Sequence, residues 1–208
     1  MFHIGFMASG AGSNFQVILD RIAQGDLAGV SPEFLITNNS KSGAAEKARL
    51  AGIACYHISS VTHADSAALD QAMVDVVRKH GIELLVLVGY MKKVPDALLA
   101  ALPDRVINVH PALLPSFGGP GLWGARVHEA VVQAGVRVSG PTIHFVDGDY
   151  DHGRIIAHRA VSIDSSESPE DVGAKVLQVE HDLYWRVIKA FAEGQVQIRD
   201  GKVICPVI

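Results

Sequence analysis

The segment Ile82-Glu83-Leu84-Leu85-Val86-Leu87-Val88 is an almost unbroken apolar run directly after Gly81. A strand with one wet face alternates polar and apolar residues. A strand apolar at nearly every position needs cover on both faces, as inside a parallel sheet flanked by helices. Toward the N-terminus, Leu69, Ala72, Met73 and Val76 form a helical stripe that Gly81 stops. Residues 53–57 read as a short strand, 43–52 as a helix, and 33–37 as a strand closed by Asn38-Asn39-Ser40. The chain opens with an apolar strand at 2–8 and a turn, Ser9-Gly10-Ala11-Gly12-Ser13-Asn14. A helix follows whose inner face is Phe15, Ile18, Leu19 and Ile22.

In the other direction, residues 105–109 form a strand ending in His110, and a helix at 127–133 is ended by Gly135. Strands at 142–146 and 154–162 flank an acidic loop, Asp147-Gly148-Asp149-Tyr150-Asp151-His152-Gly153. Ser168-Pro169-Glu170-Asp171 begins a last helix that runs to about Ala192, with proline in the first turn and acids on the N-terminal dipole. Strands alternating with helices predict an α/β fold: a single-domain, open, mostly parallel twisted sheet with helices on both faces, spanning 1–208.

Composition agrees. The 208 residues are 49% hydrophobic and 19% charged, as in a compact globule. A formal net charge of −4 gives no reason to expect a nucleic-acid or membrane-surface partner. The start, Met1-Phe2-His3-Ile4-Gly5-Phe6, lacks the basic and long apolar parts of a signal peptide, and no apolar stretch is long enough for a membrane span. Cys55 and Cys205 lie far apart in apolar contexts. They read as buried structural thiols, and the cytoplasm is the expected location. No CxxC or HExxH spacing occurs, so no metal is expected.

Two constellations carry chemistry. A strand, the turn Gly10-Ala11-Gly12-Ser13-Asn14 and a helix together present backbone N–H groups to an anion. The plainer alternative is a tight turn that needs glycine. A dinucleotide fits less well: Phe15 stands where a third glycine belongs, and the second strand ends in Asn38-Asn39 without a ribose-binding acid. A phosphate monoester suits the loop better. The second constellation is Asn108-Val109-His110-Pro111-Ala112-Leu113-Leu114-Pro115. Asn108 and His110 share one face of their strand, and Pro111 breaks the ladder, leaving His110 at the tip. Asp151, beside an imidazole, would raise its pKa and fix its tautomer. Taken singly, Asn108 could satisfy backbone groups, His110 could be packed, and Asp151 could be a solvated turn acid.

These motifs, with Gly140-Pro141-Thr142-Ile143-His144-Phe145-Val146, Tyr150-Asp151-His152-Gly153-Arg154 and Glu180-His181, resemble the phosphoribosylglycinamide formyltransferase family along nearly the whole chain. The resemblance implies a Rossmann-like formyltransferase domain, its N-terminal half holding the nucleotide phosphate and its C-terminal half holding folate and catalysis. It implies that Gly12, Ser13 and Asn14 hold the phosphate and that Glu180 is the acid near the sugar. Met91, Lys92, Lys93 and Val94 line the folate pocket by the same resemblance, with backbone groups reading the pterin. Asn108 contacts the formyl oxygen and the folate, His110 is catalytic, and Asp151 tunes it. His144 matches a family histidine close to the site, or is a packed strand residue. Lys92 and Ser66 stand where many relatives carry arginine, which concerns folate-tail contacts.

The activity implied is transfer of the formyl group of 10-formyltetrahydrofolate, the co-substrate, to the amine of glycinamide ribonucleotide in purine synthesis, by direct attack in a ternary complex. The partners implied are these two small molecules, with a homodimer as the assembly considered. The competing readings are a formyltetrahydrofolate deformylase, whose extra histidine is replaced here by Pro111, and a noncatalytic phosphate-sugar binding protein. Relatives acting on methionyl-tRNA or sugar nucleotides would need domains or pockets not read in this sequence.

Overall fold

The computed structural model describes residues 1–207. In chain order its elements are β1 (Phe2–Ala8), α1 (Ser13–Ala23), β2 (Val30–Thr37), α2 (Gly43–Leu50), β3 (Ala54–His57), α3 (Ser66–His80), β4 (Leu84–Leu87), α4 (Asp96–Ala101) and β5 (Val106–His110). There follow α5 (Ala125–Gln133), β6 (Val138–Ser139), β7 (Thr142–Phe145), β8 (Ile155–His158), β9 (Val161–Ser162), α6 (Pro169–Ala192), β10 (Gln197–Arg199) and β11 (Lys202–Ile204). Seven strands form one sheet in the order β3-β2-β1-β4-β5-β7-β8. β1 pairs in parallel with β2 and β4, and β2 with β3, while β7–β8 is antiparallel. The mostly parallel α/β sheet expected from the sequence is present. The chain divides into two compact units, Met1–Ile107 and Asn108–Ile208.

In the first unit the strand order reverses at β1, which has β2 on one side and β4 on the other. Right-handed crossovers then put α1 and α2 on one face and α3 and α4 on the opposite face. Phe6 of β1 and Phe15 of α1 meet edge to face at 4.8 Å, both fully buried, so the glycine turn between them has two fixed ends. β4 is buried at every position, as its apolar run requires. Gly81 ends α3 in the left-handed conformation (φ 58°), a geometry glycine takes without a Cβ clash. β2 begins three residues earlier than expected, and its register against β1 shifts beside Pro32. A proline there forfeits one ladder bond, which a bulge absorbs.

In the second unit, Val127 and Val131 of α5 pack on Val172 and Val176 of α6, with Ala112 and Ile163 completing the cluster. Helix α6 begins with the full capping box, Ser168 and Asp171 each accepting or donating across the first turn, and it runs to Ala192 as expected.

Two sequence readings need correction, and two elements escaped the sequence reading altogether. The single strand expected over 154–162 is two strands in different sheets: β8 beside β7, and β9 beside β6. A Cβ at Gly140 would collide with the Arg159 carbonyl, and Pro141 has no N–H to give, so the chains cross there and regular pairing stops. Helix α4 has six residues, too few for periodicity to register. The β10–β11 hairpin turns at Asp200-Gly201, both with positive φ, a legible Asp-Gly signal that the sequence reading passed over. Cys55 is exposed on β3, a strand at the sheet's edge, and Cys205 is half-buried, so neither is the fully buried structural thiol expected.

Candidate active site

The first unit holds the glycine loop. Gly12 is the N-cap of α1 with φ 68° and ψ 47°, and no side chain caps that helix. There is also no acidic residue in its first turn, so the N-terminal dipole meets no carboxylate of its own. A Cβ at Gly12 would come within 2.7 Å of the Ala44 methyl, which requires glycine twice over, by conformation and by space. The loop is braced from α2, where Ala44 N–H donates to the Gly10 carbonyl (3.1 Å) and Lys47 Nζ donates to the Ala11 carbonyl (2.9 Å). It is braced from the segment after β4 as well. Ser9 N–H donates to the Gly89 carbonyl (2.9 Å), and Met91 N–H donates to Ser9 Oγ (2.9 Å). The phosphate loop and the folate-lining segment expected from the sequence are therefore directly bonded. Met91, Lys92 and Lys93 are exposed, whereas Val94 is buried and turns its side chain into the core.

The second unit holds the Asn-His-Asp set. β5 delivers Asn108 and His110 from one face, and His110 is 3% exposed. Asp151 sits in the acidic loop with φ 55°, a left-handed backbone that aspartate tolerates better than most residues. Its Oδ2 lies 3.4 Å from His110 Nδ1 and accepts from the Gly119 N–H at 3.0 Å. Its Oδ1 lies 3.7 Å from His144 Nε2. A Cβ at Gly153 would strike the Phe145 carbonyl, so the Asp-x-Gly spacing is set by where this loop crosses β7. His152 faces solvent instead, pairing with Asp147 at 3.0 Å.

Burial pushes the Asp151 pKa up. The hydrogen bond and charge of His110, the Gly119 N–H and the charge of His144 outweigh it, and the net shift is downward. His110 Nε2 donates to the Phe117 carbonyl at 2.8 Å. Both ring nitrogens of His110 thus face oxygen atoms that only accept hydrogen bonds.

Asn108 Nδ2 lies 3.2 Å from His144 Nε2. Thr142 Oγ1 donates to the Ala112 carbonyl (2.7 Å) and accepts from Leu114 N–H (3.0 Å), pinning the turn after Pro111 to β7. Thr142 and Gly119 were missed from sequence, as were Ser9 and Lys47. For Thr142 a signal existed, since it lies two residues from His144 and so shares its face of β7. Glu180 is 8% exposed on α6, near the buried Tyr184 phenol, whose pKa is raised by burial and by that carboxylate.

The sequence matches the family described as formyl transferase over residues 2–188. The chain belongs to the formyl transferase family. It is 42% identical to the chloroplastic phosphoribosylglycinamide formyltransferase of Arabidopsis thaliana over 201 residues, covering 96% of this chain and 68% of that protein. It is 35% identical to the phosphoribosylglycinamide formyltransferase of Bacillus subtilis, covering 88% and 90%. It superposes on glycinamide ribonucleotide transformylase 1 of Symbiobacterium toebii with a TM-score of 0.90 and 33% identity, over 99% of this chain and 94% of that one. The chain spans 64–68% of the length of the chloroplastic plant relatives it matches. Among the described residues, no helix is long and apolar enough to cross a membrane.

Proposed function

We propose that this member of the formyl transferase family moves the formyl group of 10-formyltetrahydrofolate onto the amine of glycinamide ribonucleotide, a step of purine synthesis. The observation that carries the reading is the meeting of His110 and Asp151 at 3.4 Å from positions 41 residues apart in the chain. In this reading the whole chain serves as one formyltransferase domain. Gly12, Ser13, Asn14 and Glu180 bind the nucleotide, and Met91, Lys92, Lys93 and Val94 bind folate, the last through its backbone.

Attack of the amine on the formyl carbon puts negative charge on the formyl oxygen. The Asn108 amide and the His110 ring supply donors for that charge, each such donor contributing roughly 10²–10³-fold. A formyl oxygen that reaches His110 Nε2 competes with the Phe117 carbonyl for the same hydrogen. A role as proton acceptor suits Asp151 poorly, since its carboxyl group is held below its usual range. We assign it the electrostatic role of holding the His110 ring. The attacking amine loses one proton to water, the bond from the formyl carbon to the folate nitrogen breaks as the carbonyl re-forms, and that nitrogen takes one proton from water and leaves as tetrahydrofolate. No covalent intermediate is required, since neither Cys55 nor Cys205 belongs to this set, and binding both reactants together contributes roughly 7–11 kcal/mol.

The two free cysteines fit a reducing compartment, and we propose the cytoplasm. We also propose a homodimer, for which Val138 and Ile155, 49% and 37% exposed on β6 and β8, offer apolar surface.

The test is the absorbance change of the folate donor with and without glycinamide ribonucleotide. Loss of donor only when the nucleotide is present is the expected result. Loss without acceptor would make the chain a deformylase. Tight nucleotide binding with no loss of donor would make it a binding protein.

A further inference from the structure

His144 takes no part in that reaction, yet it is a buried polar side chain directly beside it. It is 2% exposed on β7, with Nδ1 2.8 Å from the Phe145 carbonyl oxygen and Nε2 3.2 Å from Asn108 Nδ2. A carbonyl oxygen only accepts, so Nδ1 carries the hydrogen. Burial lowers the His144 pKa, against the Phe145 bond and the charge of Asp151, and the ring is neutral near pH 7. Nε2 is then a bare lone pair. It accepts one of the two Asn108 N–H groups and repels the amide oxygen, so it selects one of the two amide orientations.

We propose that His144 is a positioning residue for formyl transfer: its Nε2 lone pair holds the Asn108 amide with the second N–H turned to the formyl oxygen. Without that acceptor the two faces of the amide are nearly equivalent, and half of the population presents an oxygen to a developing anion. The same lone pair keeps Asp151 Oδ1, 3.7 Å away, from bonding His144, and leaves the carboxylate to His110. Thr142 and His144 thus share one face of β7 with separate tasks. Thr142 pins the turn after Pro111, and His144 pins the amide of Asn108.

The inference rests on the formyl-transfer reading, and the wild-type chain in the donor assay tests that reading separately. Given an active wild type, the comparison is among His144→Gln, whose side-chain oxygen can reach the Nε2 position, His144→Asn, which reaches only the Nδ1 position, and His144→Phe. The expectation is a kcat within about threefold of wild type for His144→Gln. For His144→Asn and His144→Phe the expected loss is roughly 10- to 100-fold, as for a misplaced catalytic group, with both KM values within about twofold. In an Asn108→Ala background the same substitutions should cost less than about threefold, because their target is gone. If His144→Phe fails to fold, the Gln and Asn variants, both polar, carry the contrast. Equal activities for Gln and Asn would overturn the proposal, as would an undiminished loss in the Asn108→Ala background.

Discussion

At the scale of single residues, Lys47 shows how the structure extends what the sequence offered. Its ammonium binds the Ala11 carbonyl and so stands at the rim of a loop that has no acidic residue of its own. A phosphate dianion in that loop would draw on this charge. Lys47→Met is therefore expected to raise the KM for glycinamide ribonucleotide by roughly 3- to 10-fold, with kcat unchanged and with a difference that shrinks in high salt, since exposed charges are screened. An unchanged KM at low ionic strength would remove Lys47 from the phosphate site. Asn108, His110 and Asp151 were legible because Asn-x-His-Pro followed by a later Asp-x-Gly together resemble a family motif, whereas Asp-x-Gly alone recurs at Asp171-Val172-Gly173 and marks nothing there. Lys47, Ser9 and Gly119 were not, because they act through a backbone contact or an ordinary surface charge, and neither leaves a mark on the local pattern.

At the scale of elements, the apolar run of β4, the stripe and glycine stop of α3, and the cap of α6 could all be read, since each is a short-range property of consecutive residues. The break between β8 and β9 could not, because it depends on Gly140 meeting Arg159. β7 ties the second unit together. Thr142 satisfies both the Ala112 carbonyl and the Leu114 N–H in a fully buried setting. Thr142→Val keeps the shape but strands both groups, at a cost of about 1–3 kcal/mol. Urea denaturation is expected to show that loss together with a lowered kcat, because the turn that carries His110 would loosen. A variant as stable as the wild type would mean that water replaces the hydroxyl at no cost.

For the molecule as a whole, the histidines set the response to acid. His128, His144 and His181 all have pKa values lowered from 6.5, in each case chiefly by burial. Below about pH 6.5 the unfolded chain takes up protons that the folded chain refuses, so stability is full above that value and falls as pH drops toward the folded values. His152 has the opposite sign, its pKa raised by Asp147, but it is fully exposed and carries little weight. Asp151 and Asp182, both held low, add to the loss only below about pH 4. The urea midpoint should therefore be clearly lower at pH 5 than at pH 7.5, and an equal or higher midpoint at pH 5 would contradict this assignment. Catalysis draws on the same buried charges, above all on the carboxylate beside His110. Asparagine also tolerates the left-handed backbone at position 151, so Asp151→Asn removes the charge with little strain. The single-turnover rate of formyl transfer by Asp151→Asn at neutral pH is expected to fall at least about 100-fold, as when a preorganised charge is removed from a transition state. A rate near that of the wild type would mean that His110 does its work without this carboxylate.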